Sequence, residues 1–389
     1  NKSNMNLLWI LPLLTCIFMS HNKITIAIPS DLVSTILSHK CFIEALNKTQ
    51  SCDNPNILYV TTMGGGSGLG SEFNAYLISS LLTAVSSKRR MVYFRSKRKW
   101  EYDCNSESGW ACYLQFHCSE NGVDSSELDY SQKYLVNDVH SLRIPNMTSL
   151  QLLQPRHHSI YQSINTFSVQ DEKCKVDYNS LSVTILTSMA AKYLFRLNSE
   201  TRAVIKHINN RYKNLMRSSY ISLQLRMTDK KYEMSKEAWA WVNNLSNTAE
   251  FMKPFFQAAH TNNLFIATDN CSAVADLVSL LPAQKIFSPC INVSSASSHP
   301  EGPLLTAENA ANLRRHGGLT STYALLADIE MLRRGQHFFG LFDSNLVRMI
   351  HRLRYPVLNN SHALAVETYK DSRVGLNLNM EDIGVHFDT

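Results

Sequence analysis

The chain lacks several features that would have settled its class at once. It has 389 residues but no low-complexity tract and no internal repeat. Its formal net charge of +6 is not gathered into a dense basic stripe, which argues against a nucleic-acid partner. The tightest basic run, Lys88-Arg89-Arg90 followed by Arg95 to Lys99, reads as a solvated face. No two cysteines stand at CxxC spacing, and His157-His158 lies far from Cys104, Cys112 and Cys118, so a zinc site has no ligand set. The glycine-rich run Gly64 to Gly70 contains no GxGxxG in any register, and no Lys-Ser or Lys-Thr follows it. A dinucleotide fingerprint and a P-loop are both excluded. The first apolar run, Leu7 to Ser20, is shorter than the ~20 residues that span a bilayer comfortably. It has a lysine on each side and no small-x-small cleavage site after it, so a retained signal anchor is expected.

What is present points to the secretory lumen. Sequons stand at Asn47, Asn146, Asn244, Asn270, Asn292 and Asn359. Beyond Cys16 in the anchor there are Cys41, Cys52, Cys104, Cys112, Cys118, Cys174, Cys271 and Cys290, an even set that suggests disulfides.

Three segments share one layout. Tyr220 to Lys230 reads as a strand, with Ile221, Leu223 and Leu225 on a packed face and Ser222, Gln224 and Arg226 on a polar one. It ends at Arg226, Thr228, Asp229 and Lys230. Asn263 to Thr268 is a second strand, ending at Asp269 before a helical pattern in Val274, Leu277 and Leu281. His337 to Phe342 is a third, ending in Asp343-Ser344-Asn345; Leu346, Met349, Ile350 and Leu353 then follow at helical spacing. In open α/β sheets ligands collect at the carboxyl ends of strands, and a helix start beside Ser344 is a natural cradle for phosphate. Gly317 to Leu332 reads as an apolar helix interrupted by Asp328, a carboxylate that must be a specific hydrogen-bond acceptor if it is to be buried there. In the amino-terminal half, Ile57 to Met63 is a strand broken by the glycine run, with a helix from near Glu72, and Val92-Tyr93-Phe94 is the next strand. Lys99 to Tyr102 and Ser108-Gly109-Trp110 place aromatics among charges, suited equally to stacking on a sugar or to an ordinary core.

Taken in order, these motifs resemble the α1,6-fucosyltransferases of the N-glycan core and the bacterial enzymes that fucosylate chitooligosaccharides. The likeness runs from about residue 52 to 355 and includes Tyr193-Leu194-Phe195-Arg196. It implies an α/β, GT-B-like fold: an anchor and short stem over 1–50, an open α/β domain on the acceptor side over 51–205, a Rossmann-like GDP-fucose domain over 206–365, and a tail over 366–389. No counterpart of the long coiled stem or the SH3-like domain of the animal enzymes is expected in the 389 residues.

By the same resemblance Arg226 grips the β-phosphate of GDP-fucose, and Lys230 with Glu233 activates the acceptor hydroxyl. Asp328 reads guanine, Ser344 meets the diphosphate, Tyr102 lies near the donor, and Asp229 and Asp269 are acids of the same motifs, with Gln224 and Thr228 beside the nucleotide. Cys52 and Cys118 are similar to a bonded pair. Two departures stand out: Gln224 replaces a histidine and Met227 a second arginine; Asn270 also replaces an aspartate. No DxD motif is present to hold a metal, so metal-independent, inverting transfer by single displacement is expected, with no cofactor beyond the donor substrate. Expected partners are GDP-fucose, a glycan or glycoprotein acceptor, the Golgi membrane through the amino-terminal anchor, and a second copy of the chain. Transfer to other acceptors, α1,2 or protein O-fucosyl, and a non-catalytic relative that only binds GDP or glycan are the alternatives.

Overall fold

A computed structural model describes residues 30–61, 69–93, 109–115, 133–135, 149–153, 168–171, 174–177, 183–227, 236–292, 321–341, 344–354 and 361–363. Helix α1 (Ser30–Thr49) leads into strand β1 (Ile57–Thr61). Helix α2 (Leu69–Glu72) continues through a π-helical stretch, Phe73–Leu77, into α3 (Ile78–Ser86). Strands β2 (Arg90–Tyr93), β3 (Lys133–Leu135) and β4 (Ser149–Leu153) complete a parallel sheet in the order β2-β1-β4-β3. A hairpin of β5 (Ser168–Asp171) and β6 (Cys174–Asp177) follows, then α4 (Val183–Leu194) and α5 (Ser199–Asn209).

The second unit begins with β7 (Ile221–Leu225), α6 (Lys236–Asn243), α7 (Leu245–Ala258), β8 (Asn263–Thr268), α8 (Cys271–Leu280) and β9 (Lys285–Phe287). It closes with α9 (Ser321–Arg334), β10 (His337–Gly340), α10 (Asn345–Leu353) and β11 (Ser361–Ala363). Its five strands are parallel, in the order β11-β10-β7-β8-β9. Two open α/β units are therefore present, the architecture of a GT-B-like chain.

Three expectations are corrected. β7 puts Ile221, Leu223 and Leu225 on one side and Ser222 and Gln224 on the other, but its polar side is covered as well: all five residues are buried. It lies at the centre of the sheet, and α9 covers the side that carries Ser222, whose hydroxyl donates to the Leu332 carbonyl at 2.7 Å. Ile221, Leu223 and Leu225 pack on the other side with Met252, Phe256, Leu264 and Leu277. The boundary expected between residues 205 and 206 falls inside α5, which packs on α9 of the second unit. And the region expected as stem contains α1, with Phe42 and Leu46 buried in the core. No helix among the described residues is long and apolar enough to cross a membrane; the run 7–20 lies outside them.

The continuous helical run from α2 to α3 forms because Leu69, Phe73, Leu77, Leu81 and Val85 recur on one side, and all are buried. Each such side chain contributes about 1.5–3 kcal/mol on leaving water. The cluster they join runs without a break into Phe338, Val347, Met349 and Leu353 of the second unit. Cys271 and Cys290 form a disulfide, and Cys41, Cys52 and Cys112 are also disulfide-bonded; Cys118 lies outside the described residues.

Candidate active site

The strand ends of the second sheet meet as the sequence suggested. β7 stops at Leu225, opposite Thr268 of β8, and Gln224 stands opposite Gly340 of β10. Arg226 follows, half-buried, just past the edge. Its position is fixed from the next strand: the buried carboxylate of Asp269 accepts the Met227 backbone N–H at 2.7 Å. Asp269 thus braces the loop that carries Arg226. Met227 itself is buried among Val242, Leu245 and Met252, so the side chain standing where the resembling enzymes have a second cation is part of the core. The other departure also has a local role. Asn270 caps α8, its side chain accepting the Ser272 backbone N–H at 3.1 Å.

Gln224 points to the same side as Ser222, beneath α9. Two residues along a strand advance about 6.6 Å, and four along a helix about 6 Å. Ser222 is bonded to Leu332, so Asp328, one turn earlier, lies level with Gln224. Gln224 is buried, and its carbonyl oxygen has no partner among the described residues. Asp328 is half-buried. Burial pushes its carboxyl up to about 7, while the charge of Arg211 pulls the other way. An amide acceptor on β7 and a carboxylate on α9 at one level suit the N–H edge of a purine.

At the end of β10, Ser344 is the N-cap of α10, as expected, but its hydroxyl makes no capping bond. It is wholly buried and has no partner among the described residues. Facing it is the start of α2. A Cβ on Gly70 would come within 2.8 Å of the Leu346 nitrogen and 2.9 Å of the Asn345 carbonyl carbon, so two helix N-termini meet backbone to backbone. Only glycine permits this approach. Two positive dipole ends brought together repel unless an anion lies near them, and their unpaired N–H groups make that place an anion cradle.

The contact is tied by a residue the sequence reading missed. Asn74, in the π-helical stretch, donates to the Asn345 carbonyl at 2.6 Å and accepts from the Arg352 guanidinium. Nothing local in the sequence set Asn74 apart, since Glu72, Ser79 and Ser80 of the same helical run are buried polar residues as well. Trp110 resolves the open question about the aromatics: it is wholly buried, its ring 5.7 Å from that of Phe73, and so a core residue. The Arg196 guanidinium lies 3.9 Å over the Tyr193 ring. Tyr102, Thr228, Asp229, Lys230 and Glu233 lie outside the described residues.

No protein-family model and no curated protein sequence matches the chain. Among solved structures it is similar to a mutant of FUT1 from Arabidopsis thaliana in complex with GDP, at 12% identity over 84% of this chain and 77% of that one, with a TM-score of 0.43. It is also similar to POFUT1 without ligand, at 10% identity over 80% of this chain and 99% of that one, TM-score 0.39. POFUT1 in complex with GDP gives 11% identity over 80% and 99%, TM-score 0.40.

Proposed function

We propose that the chain is a glycosyltransferase that moves fucose from GDP-fucose to a glycan hydroxyl with inversion, and that its acceptor is the innermost GlcNAc of the N-glycan core, joined through an α1,6 bond. The observation that carries this reading is the meeting of two helix N-termini at the strand ends, with the Ser344 hydroxyl, without a partner among the described residues, on one and Arg226 at the neighbouring strand tip. The order of the sequence motifs supports the choice of donor and acceptor.

In this mechanism the acceptor oxygen attacks the anomeric carbon of fucose as the bond from that carbon to the β-phosphate oxygen breaks. The electron pair leaves with GDP, and the acceptor proton passes to Glu233, oriented by Lys230. Arg226 and the helix N-termini stabilise the charge gathering on the diphosphate, the kind of preorganised electrostatics that contributes most to such steps. Asp328 and Gln224 hold the guanine. An arginine clamp replaces a metal ion. The reaction takes place in the Golgi lumen, with the chain held by its amino-terminal anchor.

Incubation of the lumenal chain with GDP-fucose and a panel of agalacto N-glycans, chitooligosaccharides, terminal galactosides and folded epidermal-growth-factor-like repeats tests the reading. The expected result is one added deoxyhexose on the N-glycan core, undiminished by EDTA. Product on another acceptor would move the assignment to that acceptor; metal-dependent product would overturn the mechanism. Arg226→Ala should lower turnover by about 10²–10³-fold while leaving the circular dichroism spectrum unchanged, and an unaltered rate would remove Arg226 from the chemistry. The buried Met227 favours one second reading, a non-catalytic GDP-binding relative, since a charge is missing beside the diphosphate. GDP binding without product on any acceptor would select it.

A further inference from the structure

We propose that Asn74 is a positioning residue for the donor diphosphate, a latch by which the amino-terminal unit holds the anion cradle of the other unit ready for its ligand. The proposal rests on the reading of that cradle as the diphosphate site.

Three observations support it. Asn74 is 271 residues from Asn345 in sequence and 278 from Arg352, yet its one amide group bonds both, donating to the first and accepting from the second. It therefore fixes α10 at its first turn and again two turns on, which sets both the position and the rotation of the helix. The backbone contact at Gly70 has no side chain to secure it, since Gly70 brings the two helix starts together through bare backbone. And the approach is electrostatically unfavourable in the empty protein, because both helices present their positive ends. Something must hold them in register before the anion arrives, and Asn74 supplies two side-chain hydrogen bonds that do so. The π-helical stretch has a purpose in this arrangement. An extra residue in the turn swings Asn74 towards α10 while Phe73 and Leu77 stay in the core, and such bulges commonly mark functional positions.

A latch of this kind acts on the phosphates and not on the base. Asn74→Ala should therefore weaken GDP about five- to tenfold, the loss expected of a removed hydrogen-bond pair, and leave the affinity for guanosine unchanged. Asn74→Asp keeps an acceptor for Arg352 but turns the donor to Asn345 into a repelled oxygen, and should behave like Asn74→Ala. Asn74 is also expected to slow hydrogen exchange at residues 345–348 in the empty protein, so exchange there should quicken in both variants. The outcomes separate cleanly. If wild-type protein binds GDP and both variants bind it equally well, the latch is refuted and the diphosphate site stands. If the variants lose GDP and guanosine in proportion, Asn74 is a general structural residue and the proposal fails. If wild-type protein does not bind GDP at all, the reading of the site has failed, and the latch as a diphosphate device falls with it.

Discussion

Burial of the Asp328 side chain on α9 pushes its carboxyl from the ordinary 3.8 up to about 7, against the pull of the Arg211 charge. A raised pKa means that folding favours the protonated acid. That stabilisation is complete below about pH 4 and is lost as the pH climbs to about 7. A guanine ring presenting two N–H donors demands the opposite state, the carboxylate. GDP should therefore bind more tightly as the pH rises, by up to tenfold per unit below about 7 and with no further gain above it. Calorimetric titration across that range should show the slope in wild-type protein and its absence in Asp328→Asn; a slope that persists in the variant would assign the proton elsewhere. Asp328 was legible in the sequence as an intruder in an apolar helix. That Gln224 lies level with it was not, because the register between α9 and β7 is set by the Ser222 bond to Leu332, a contact 110 residues long in sequence.

Among the elements, strands followed by capped helices were the most legible. Asn263–Thr268 and the helix after Ser344 stand where a short apolar run and 3.6-residue spacing put them, since both signals are local. β7 misled because a strand at the centre of a parallel sheet is covered on both sides, and Ser222 there satisfies its hydroxyl through the helix above it. The helices whose starts meet could not be paired from sequence, because nothing in a glycine announces which backbone it admits. Gly70→Ala tests that pairing. Alanine favours helix by about 1 kcal/mol over glycine, yet its methyl would press on the backbone of Asn345 and Leu346, which has no rotamer with which to yield. Overpacking costs about 1–3 kcal/mol, so a net fall in thermal stability is expected together with weaker GDP binding. A variant that melts higher and binds GDP normally would show that the two helix starts are not in contact.

At the scale of the whole molecule, the two sheets were expected as separate domains joined near residue 205, and the core does not respect that division. One hydrophobic cluster reaches from Phe42 and Leu58 to Phe338 and Leu353, and α5 leaves the first unit to lie on α9 of the second. Composition changes little along the chain, so no linker was there to be read. Units that share a core should lose it together. Scanning calorimetry of the chain is expected to show a single transition with equal calorimetric and van't Hoff enthalpies; two resolved peaks would restore the separate-domain picture. Buried Arg354 adds a last consequence. It donates to the carbonyls of Leu332, Arg333, Gly335 and Gln336 and so ties the end of α10 to the end of α9. One helix bears Asp328 and the other starts at Ser344. With their far ends pinned to one guanidinium, the gap between those two residues becomes a gauge of fixed span, and a nucleotide whose base and terminal phosphate lie too near or too far apart fails to fit it at both ends.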